Sequence, residues 1–413
     1  MKRSLLVLSL LLAPLWAQTL TLQRCIESAL ETHPDVKAGL YKAEQAKESV
    51  TSQKSGRLPQ LSLSAEYDPQ RTYVMPQSGQ FHTVDSDGWS VGLQVRQKIY
   101  DFSQTAGRIE ASKKRREISE LSYEDAKALM RYRVKISYAL LLVQKAALEA
   151  RRKDLAAKEA LYHQAQALYE QGLKTEADES RFYASVKEAE DGLAQARAAY
   201  EKARVALEQL TGLEISKETE FDKDVLMQKS TVAGDLNATL SQNLRLRISK
   251  KSLEAAGFDA EAADGAKWGS IDAVAEATHV ESLSNYDTTL LGVRYSLPLY
   301  SGGKLSAEAQ KARIAKMLAK EQDESTRRAI VEEYRGVVAD LQESQRRIEA
   351  RKAQERAMED TKRLLNARYK AGLGTYVEVL DAEAAWLDAR LGLLSALYAR
   401  ASSIFRLEYL NGK

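Results

Sequence analysis

Residues 169–178 read YEQGLKTEAD and residues 369–378 read YKAGLGTYVE. Tyr169, Gly172, Leu173 and Thr175 recur as Tyr369, Gly372, Leu373 and Thr375, each 200 positions on, and an acid closes both stretches, Asp178 and Glu378. A chain that writes one local structure twice at a fixed spacing is a duplicate, and its fold must be one that two similar units build together. The offset of 200 also links Ile99 and Tyr100 with Leu299 and Tyr300, and Leu210 and Gly212 with Leu410 and Gly412. Earlier in each copy it is 210: Ala29-Leu30 answers Thr239-Leu240, and Ala65-Glu66 answers Ala275-Glu276. The ten extra residues of the first copy fall in 68–88, a long polar connection where the second copy has 278–288. Insertions collect in surface loops.

The order of segments is the same in each copy. A helical stretch (20–55; 235–266) precedes two alternating runs (58–67 and 88–100; 269–278 and 289–300). A very long helical stretch follows (102–170; 303–370), then the glycine turn and a shorter helix (176–211; 376–410). The expected units are repeat one at 18–212, a linker at 213–234 and repeat two at 235–413. Residues 1–17 read as a secretory signal: Lys2 and Arg3, the apolar run SLLVLSLLLAPLW, and Ala17 as the small residue at the cut. That run is shorter than the ~20 apolar residues a spanning helix needs. Cys25 is the only cysteine, so no internal disulfide forms. Basic and acidic residues nearly balance, 61 against 58, which gives no general attraction to nucleic acid.

Alternation decides what the strands are for. Leu61, Leu63, Ala65 and Tyr67 oppose Ser62, Ser64 and Glu66, and Trp89, Val91, Leu93 and Val95 oppose Ser90, Gly92, Gln94 and Arg96. In the second copy Ile271, Ala273 and Ala275 oppose Ser270, Asp272 and Glu276, and Leu291, Val293, Tyr295 and Leu297 oppose Gly292, Arg294 and Ser296. Val274 and Leu290 break the pattern. Tyr67, Trp89, Tyr100, Trp268, Tyr295 and Tyr300 lie near strand ends. One apolar face, one polar face and aromatic ends fit a barrel with lipid outside and water inside. Four strands cannot close one, because the smallest bacterial barrels have about eight. The chain must therefore oligomerise: two copies supply eight strands and three supply twelve, and the pattern does not choose.

The helices carry a coiled-coil seam. Leu129, Tyr132, Ile136, Ala139, Val143, Ala146 and Ala150 step by three and four, as do Ile330, Tyr334, Val337, Leu341, Ser344 and Ile348. Residues 102–170 would extend ~100 Å as a helix and need neighbours along that length.

With ALETHPDV (29–36), GVRYSLPLYSGG (292–303), YKAGLGTYVEVLD (369–381) and LEYLNG (407–412), the mature chain resembles the TolC-like outer-membrane efflux family over essentially its whole length. The resemblance implies a mostly α fold with transmembrane β-structure. Three chains form a twelve-strand barrel in the outer membrane, continued by a twelve-helix α-barrel in the periplasm. It implies a passive exit duct of an efflux pump or type I secretion system. The implied partners are two further copies of the chain, outer-membrane lipid, a periplasmic adaptor (membrane fusion) protein, and an inner-membrane pump or ABC transporter. By the same analogy 213–234 belongs to a belt around the helices. Two departures stand out: QVRQKIYDFSQ (94–104) lacks the proline and double glycine of 298–303, and Gly374, with Lys174 in the first copy, stands where the family's closed-state latch has an arginine.

The repeated turns carry the candidate site. Gly172 and Gly372 suit the left-handed residue that ends a helix, and Thr175 and Thr375, each with an acid three residues on, suit a capping box. Capping accounts for Asp178 and Glu378 locally; Asp381 lies beyond the cap. The resemblance adds a periplasmic aperture lined by Asp178, Tyr369, Glu378 and Asp381, with Asp178 accepting from Tyr369. It makes Gly172, Leu173, Gly372 and Leu373 the tips that dock the adaptor. SGGK (301–304) lacks the full phosphate-loop pattern. His33, His82, His163 and His279 show no metal-ligand spacing. No nucleophile–base arrangement appears, so the reading is of a non-enzyme without cofactor. The competing class is an exported coiled-coil structural protein, an adhesin or a periplasmic adaptor. An adaptor would show one helical hairpin between lipoyl-like halves, not two complete copies with amphipathic strand pairs.

Overall fold

The computed structural model describes residues 19–77, 79–173, 175–217, 219–227 and 235–413. The expected signal at 1–17, Lys174, and 218 and 228–234 of the expected linker lie outside the described residues. In chain order the elements are α1 (Leu22–Thr32), α2 (Pro34–Ser55), β1 (Gln60–Gln77), β2 (Gln80–Tyr100), α3 (Gln104–Glu170), α4 (Glu176–Thr211), α5 (Leu236–Gln242), α6 (Leu244–Gly265), β3 (Ser270–Glu281), β4 (Tyr286–Ser296), α7 (Lys304–Lys370) and α8 (Tyr376–Leu410). Among the described residues, no helix is long and apolar enough to cross a membrane.

The chain divides into two compact units. One comprises 38–124 and 244–329. Its centre is an antiparallel sheet in the order β1-β2-β3-β4. Register sorts the side chains by face, because cross-strand partners share one. Leu61, Val95, Ala275 and Leu291 form one row, and Ser62, Gln94, Glu276 and Leu290 the next. Leu61, Leu63, Leu291 and Val293 are all exposed. The two exceptions to alternation, Val274 and Leu290, both lie on the polar face, and Val274 is buried beside Arg96 and Gly292.

The first hairpin is longer than the expected segments 58–67 and 88–100. After an irregularity between Asp68 and Arg71 the ladder resumes and runs from Arg71↔Ser86 to Gln77↔Gln80. Most of the polar stretch 68–88 is thus a two-stranded arm rather than a loop. Thr72, Tyr73, Val74, Thr83 and Val84 are strand formers hidden among polar neighbours. Thr72 donates to Asp85 at 2.7 Å, and the Tyr73 hydroxyl lies 2.7 Å from that of Ser282. β2 meets β3 only from Trp89 onward, so Tyr67 and Trp89 mark one end of the four-stranded part and Tyr100 and Tyr295 the other. The span from Trp89 to Tyr100 is long enough for the ~9–11 residues of a transmembrane strand. The fourth strand stops at Ser296 rather than 300. Pro298, two residues on, has no N–H to continue a ladder.

Each hairpin turns sharply into its long helix. In the second copy Gly302 and Gly303 take positive φ, 62° and 84°. Phe102 and Ser103, at the same places in the first copy, also do so, at 52° and 69°. Non-glycine residues there cost on the order of 1–3 kcal/mol each unless their surroundings hold them. The Phe102 ring packs on Tyr100 at 4.9 Å and Trp268 at 6.3 Å. Its carbonyl lies where a Cβ on Gly265 would stand, 2.2 Å away. Asp101 then caps α3, its Oδ2 accepting from the Thr105 backbone N–H at 2.8 Å and from the Thr105 hydroxyl.

The other unit comprises the described residues of 19–37, 125–243 and 330–413. Here the duplication is visible in packing. The short first helix of each copy docks on the C-terminus of that copy's last helix: Ser28 donates to the Thr211 carbonyl at 2.7 Å, and Asn243 to the Leu410 carbonyl at 2.9 Å. The α7 seam is buried at Ile330, Tyr334, Ser344 and Ile348. Of the expected α3 seam Ala139, Val143 and Ala150 are buried and Leu129, Tyr132, Ile136 and Ala146 half-buried, while Ala128, Val134, Tyr138 and Leu141 are enclosed as well. Tyr138 explains part of this: its hydroxyl donates to the Leu20 carbonyl at 2.7 Å and accepts from the Asp222 N–H at 2.9 Å, tying the helix to the segments at 20 and 222.

Cys25 is fully buried on α1, and burial pushes its thiol up to about 12. The thiolate is the reactive form. The folded protein should therefore leave Cys25 unmodified by maleimide at pH 7.5, and denaturant should release one reactive thiol per chain. Mass spectrometry before and after unfolding reads this directly, and rapid labelling of the native protein would contradict the burial.

Candidate functional site

The two turns share their glycine conformation and their main-chain hydrogen bonds. Gly172 and Gly372 have φ of 72° and 75°. Leu173 N–H donates to the Leu168 carbonyl and Leu373 N–H to the Arg368 carbonyl, each at 2.9 Å. Gly172 and Gly372 donate to the carbonyls of Tyr169 and Tyr369, at 2.8 and 3.0 Å. Paired bonds of this kind close a helix on a left-handed glycine. Leu173 and Leu373 project at the tips, 66% and 72% exposed.

A capping box opens each following helix. Thr175 N–H donates to Asp178 Oδ2 at 3.1 Å, and Asp178 N–H donates to Thr175 Oγ1 at 3.3 Å. In the second copy Thr375 N–H donates to Glu378 Oε2 at 2.8 Å, and Glu378 N–H to Thr375 Oγ1 at 3.3 Å. The Thr375 N–H, with help from its hydroxyl, holds the Glu378 carboxyl below its ordinary range. Glu378 is thus a charged cap.

Tyr369 sits under these turns. It is 1% exposed and packs with Leu161, Ala165, Phe182 and Val379, its ring 5.7 Å from that of Phe182. Burial raises its phenol, and the charge of Asp178 raises it further. The charge of Asp178 thus reaches the Tyr369 phenol across the two copies, while Asp178 Oδ2 itself is bonded to Thr175. Asp381 lies one turn beyond Glu378 on α8 and is exposed. At Gly374 an added Cβ would approach the Tyr369 N–H nitrogen to 3.2 Å, and the nearby Arg368 instead reaches the Leu373 carbonyl at 3.3 Å.

One group escaped the sequence reading. Asp154 and Lys158 of α3, Lys362 and Asn366 of α7 and Glu383 of α8 form a charged layer inside the helical unit. Its signal was present: stepping past Ala150 by four, four, three and four lands on Asp154, Lys158, Leu161 and Ala165, all buried.

The outer membrane efflux protein family model matches residues 25–213 and 236–413, which takes in both copies. The chain belongs to the outer membrane efflux protein family. The outer membrane protein TolC of Vibrio cholerae is 26% identical to it, over 98% of this chain and 93% of that protein. The proteases secretion protein PrtF of Dickeya chrysanthemi is 24% identical, over 96% and 89%. The crystal structure of the outer membrane protein VceC from Vibrio cholerae superposes with a TM-score of 0.82 at 21% identity, covering 95% of this chain and 96% of that one. This efflux protein accordingly resides in the outer membrane, with its helical part in the periplasm, and acts as an exit channel. The adhesin and adaptor readings fall, because the family match covers nearly all of both copies.

Proposed function

We propose that this efflux protein is a passive duct built from three chains. Their strands close one twelve-strand barrel and their long helices continue it as a periplasmic tunnel. The carrying observation is the sheet: four strands with an exposed apolar face, in which β1 and β4 each pair on one side only among the described residues. Open edges cannot face lipid, and further copies supply the missing neighbours. The duct takes cargo from an inner-membrane pump or ABC transporter through a periplasmic adaptor. Trimers that survive mild detergent in the outer-membrane fraction support this reading; a monomer there removes it.

In this reading the turns form the tunnel's inner mouth. Glu378 and Asp381 from three chains place six carboxylates around it. Such a ring attracts cations. Purified protein in a planar bilayer should be cation-selective and blocked by multivalent cations from the mouth side. Glu378→Gln with Asp381→Asn should remove most of both effects. Glutamine keeps the capping partner of Thr375, so the helix start survives. Unchanged selectivity and block would reduce these acids to helix caps.

A further inference from the structure

Two apolar clusters hold the helices near the turns. One gathers Leu161, Ala165, Phe182, Tyr369 and Val379, and the other Ala150, Trp386 and Leu387. The charged layer lies between them in sequence and packing, about 12 Å along α8 from Thr375. Glu383 is 1% exposed but well served: Lys362 Nζ lies 2.9 Å from Oε2, and Asn366 Nδ2 donates to Oε1 at 2.8 Å. Lys362 also stands 3.7 Å over the Trp386 ring.

Asp154 is treated differently. It is fully buried, neither of its oxygens has a hydrogen-bond partner, and Lys158 Nζ is 3.7 Å away. An ionised carboxylate in such a place has lost water and gained no donor. A protonated one is a small neutral group that the layer accommodates. Apolar residues of similar volume would hold the seam at least as well, so stability alone does not account for charge here.

We propose that this layer is a proton-operated clasp between α3 of the first copy and the α7–α8 hairpin of the second, closed while Asp154 carries a proton and loosened when that proton leaves to water. Four charged groups act on Asp154: Lys158 and Arg151 from its own helix, Lys362 from α7 and Glu383 from α8. Burial is the largest influence and raises its carboxyl above the ordinary range; the three cations oppose this and Glu383 adds to it. The sign follows. The closed clasp binds the proton more tightly than the opened chain, so its stability is greatest in acid. It declines as pH rises from about 4 through the raised value, then levels off.

Amide hydrogen exchange on the full-length protein in lipid nanodiscs tests this. Segments 150–162 and 379–390 are followed at pH 4.5 and 7.5, with rates corrected for intrinsic chemistry and segment 22–32 as a reference. Protection of both segments should fall relative to the reference, since the closed clasp binds the proton more tightly than the opened chain. In Asp154→Asn, protection should stay at the acid level throughout. In Glu383→Gln, repulsion is gone and Lys362 is released toward Asp154, so the fall should move to lower pH. A fall that persists in Asp154→Asn, an unmoved midpoint in Glu383→Gln, or no fall in the parent protein overturns the clasp. The consequence for transport, easier parting of the turns at neutral pH, rests on the proposed inner mouth. Exchange that responds to pH beside conductance that does not would leave the clasp standing and sever that link.

Discussion

Val293→Arg should strip most of the protein from the outer membrane, while Gly292→Arg should leave assembly nearly intact. Val293 is 70% exposed on the apolar face, in register with Ala273; Gly292 pairs with Val274 on the other face, and an added Cβ there meets nothing within 4 Å. If the apolar face meets lipid, a charge at mid-bilayer costs about 2–4 kcal/mol per chain. A trimer bears that cost three times. The measurement is the amount of heat-modifiable oligomer in outer-membrane fractions for each variant. Equal loss from both, or greater loss from Gly292→Arg, would invert the assignment of faces.

Leu173→Asp combined with Leu373→Asp should abolish export without touching the oligomer. Both side chains are exposed, and exposed substitutions away from caps usually change stability by no more than about 0.5 kcal/mol. The turns themselves rest on glycine φ and main-chain hydrogen bonds that aspartate leaves in place. If these tips dock an adaptor hairpin, two carboxylates per chain would desolvate badly there. Export of a pump substrate and cross-linking to the adaptor should both fall to background, with oligomer yield unchanged. Loss of the oligomer itself would show that the leucines act in folding.

The turns were legible in the sequence because local chemistry decides them. A left-handed glycine followed by threonine and an acid leaves the backbone few alternatives, and both copies form the same bonds. Strand faces were legible because a period of two is unambiguous once one face is apolar. The arm at 68–88 was not: its strand formers are diluted by Asp, Gln, Ser and Gly, and its ladder depends on partners as far apart as Asp68 and Gly88. Nor was the bend at 102, since nothing local tells a phenylalanine to take a glycine's conformation. The buried layer was written in the stepping of the seam, yet charge on a helix ordinarily signals solvent. Only the three-helix packing reverses that expectation. The proposed pore residues were reached by resemblance, because a ring of acids would belong to an assembly and no single chain spells it out.

The bend at Phe102 has an evolutionary corollary. At 302 and 303 an added Cβ would meet nothing, so glycine there answers to backbone torsion alone. At 102 and 103 the same torsion is held without glycine, and here the close approach falls on Gly265, whose missing side chain makes room for the Phe102 carbonyl. Drift in the first repeat is therefore epistatic. Position 265 cannot change while 102 keeps its path, whereas at 302 and 303 no atom of the same chain stands within 4 Å of an added Cβ. Two halves that began as one sequence now preserve the same backbone under different rules of substitution, and a change tolerated in one is no guide to its counterpart.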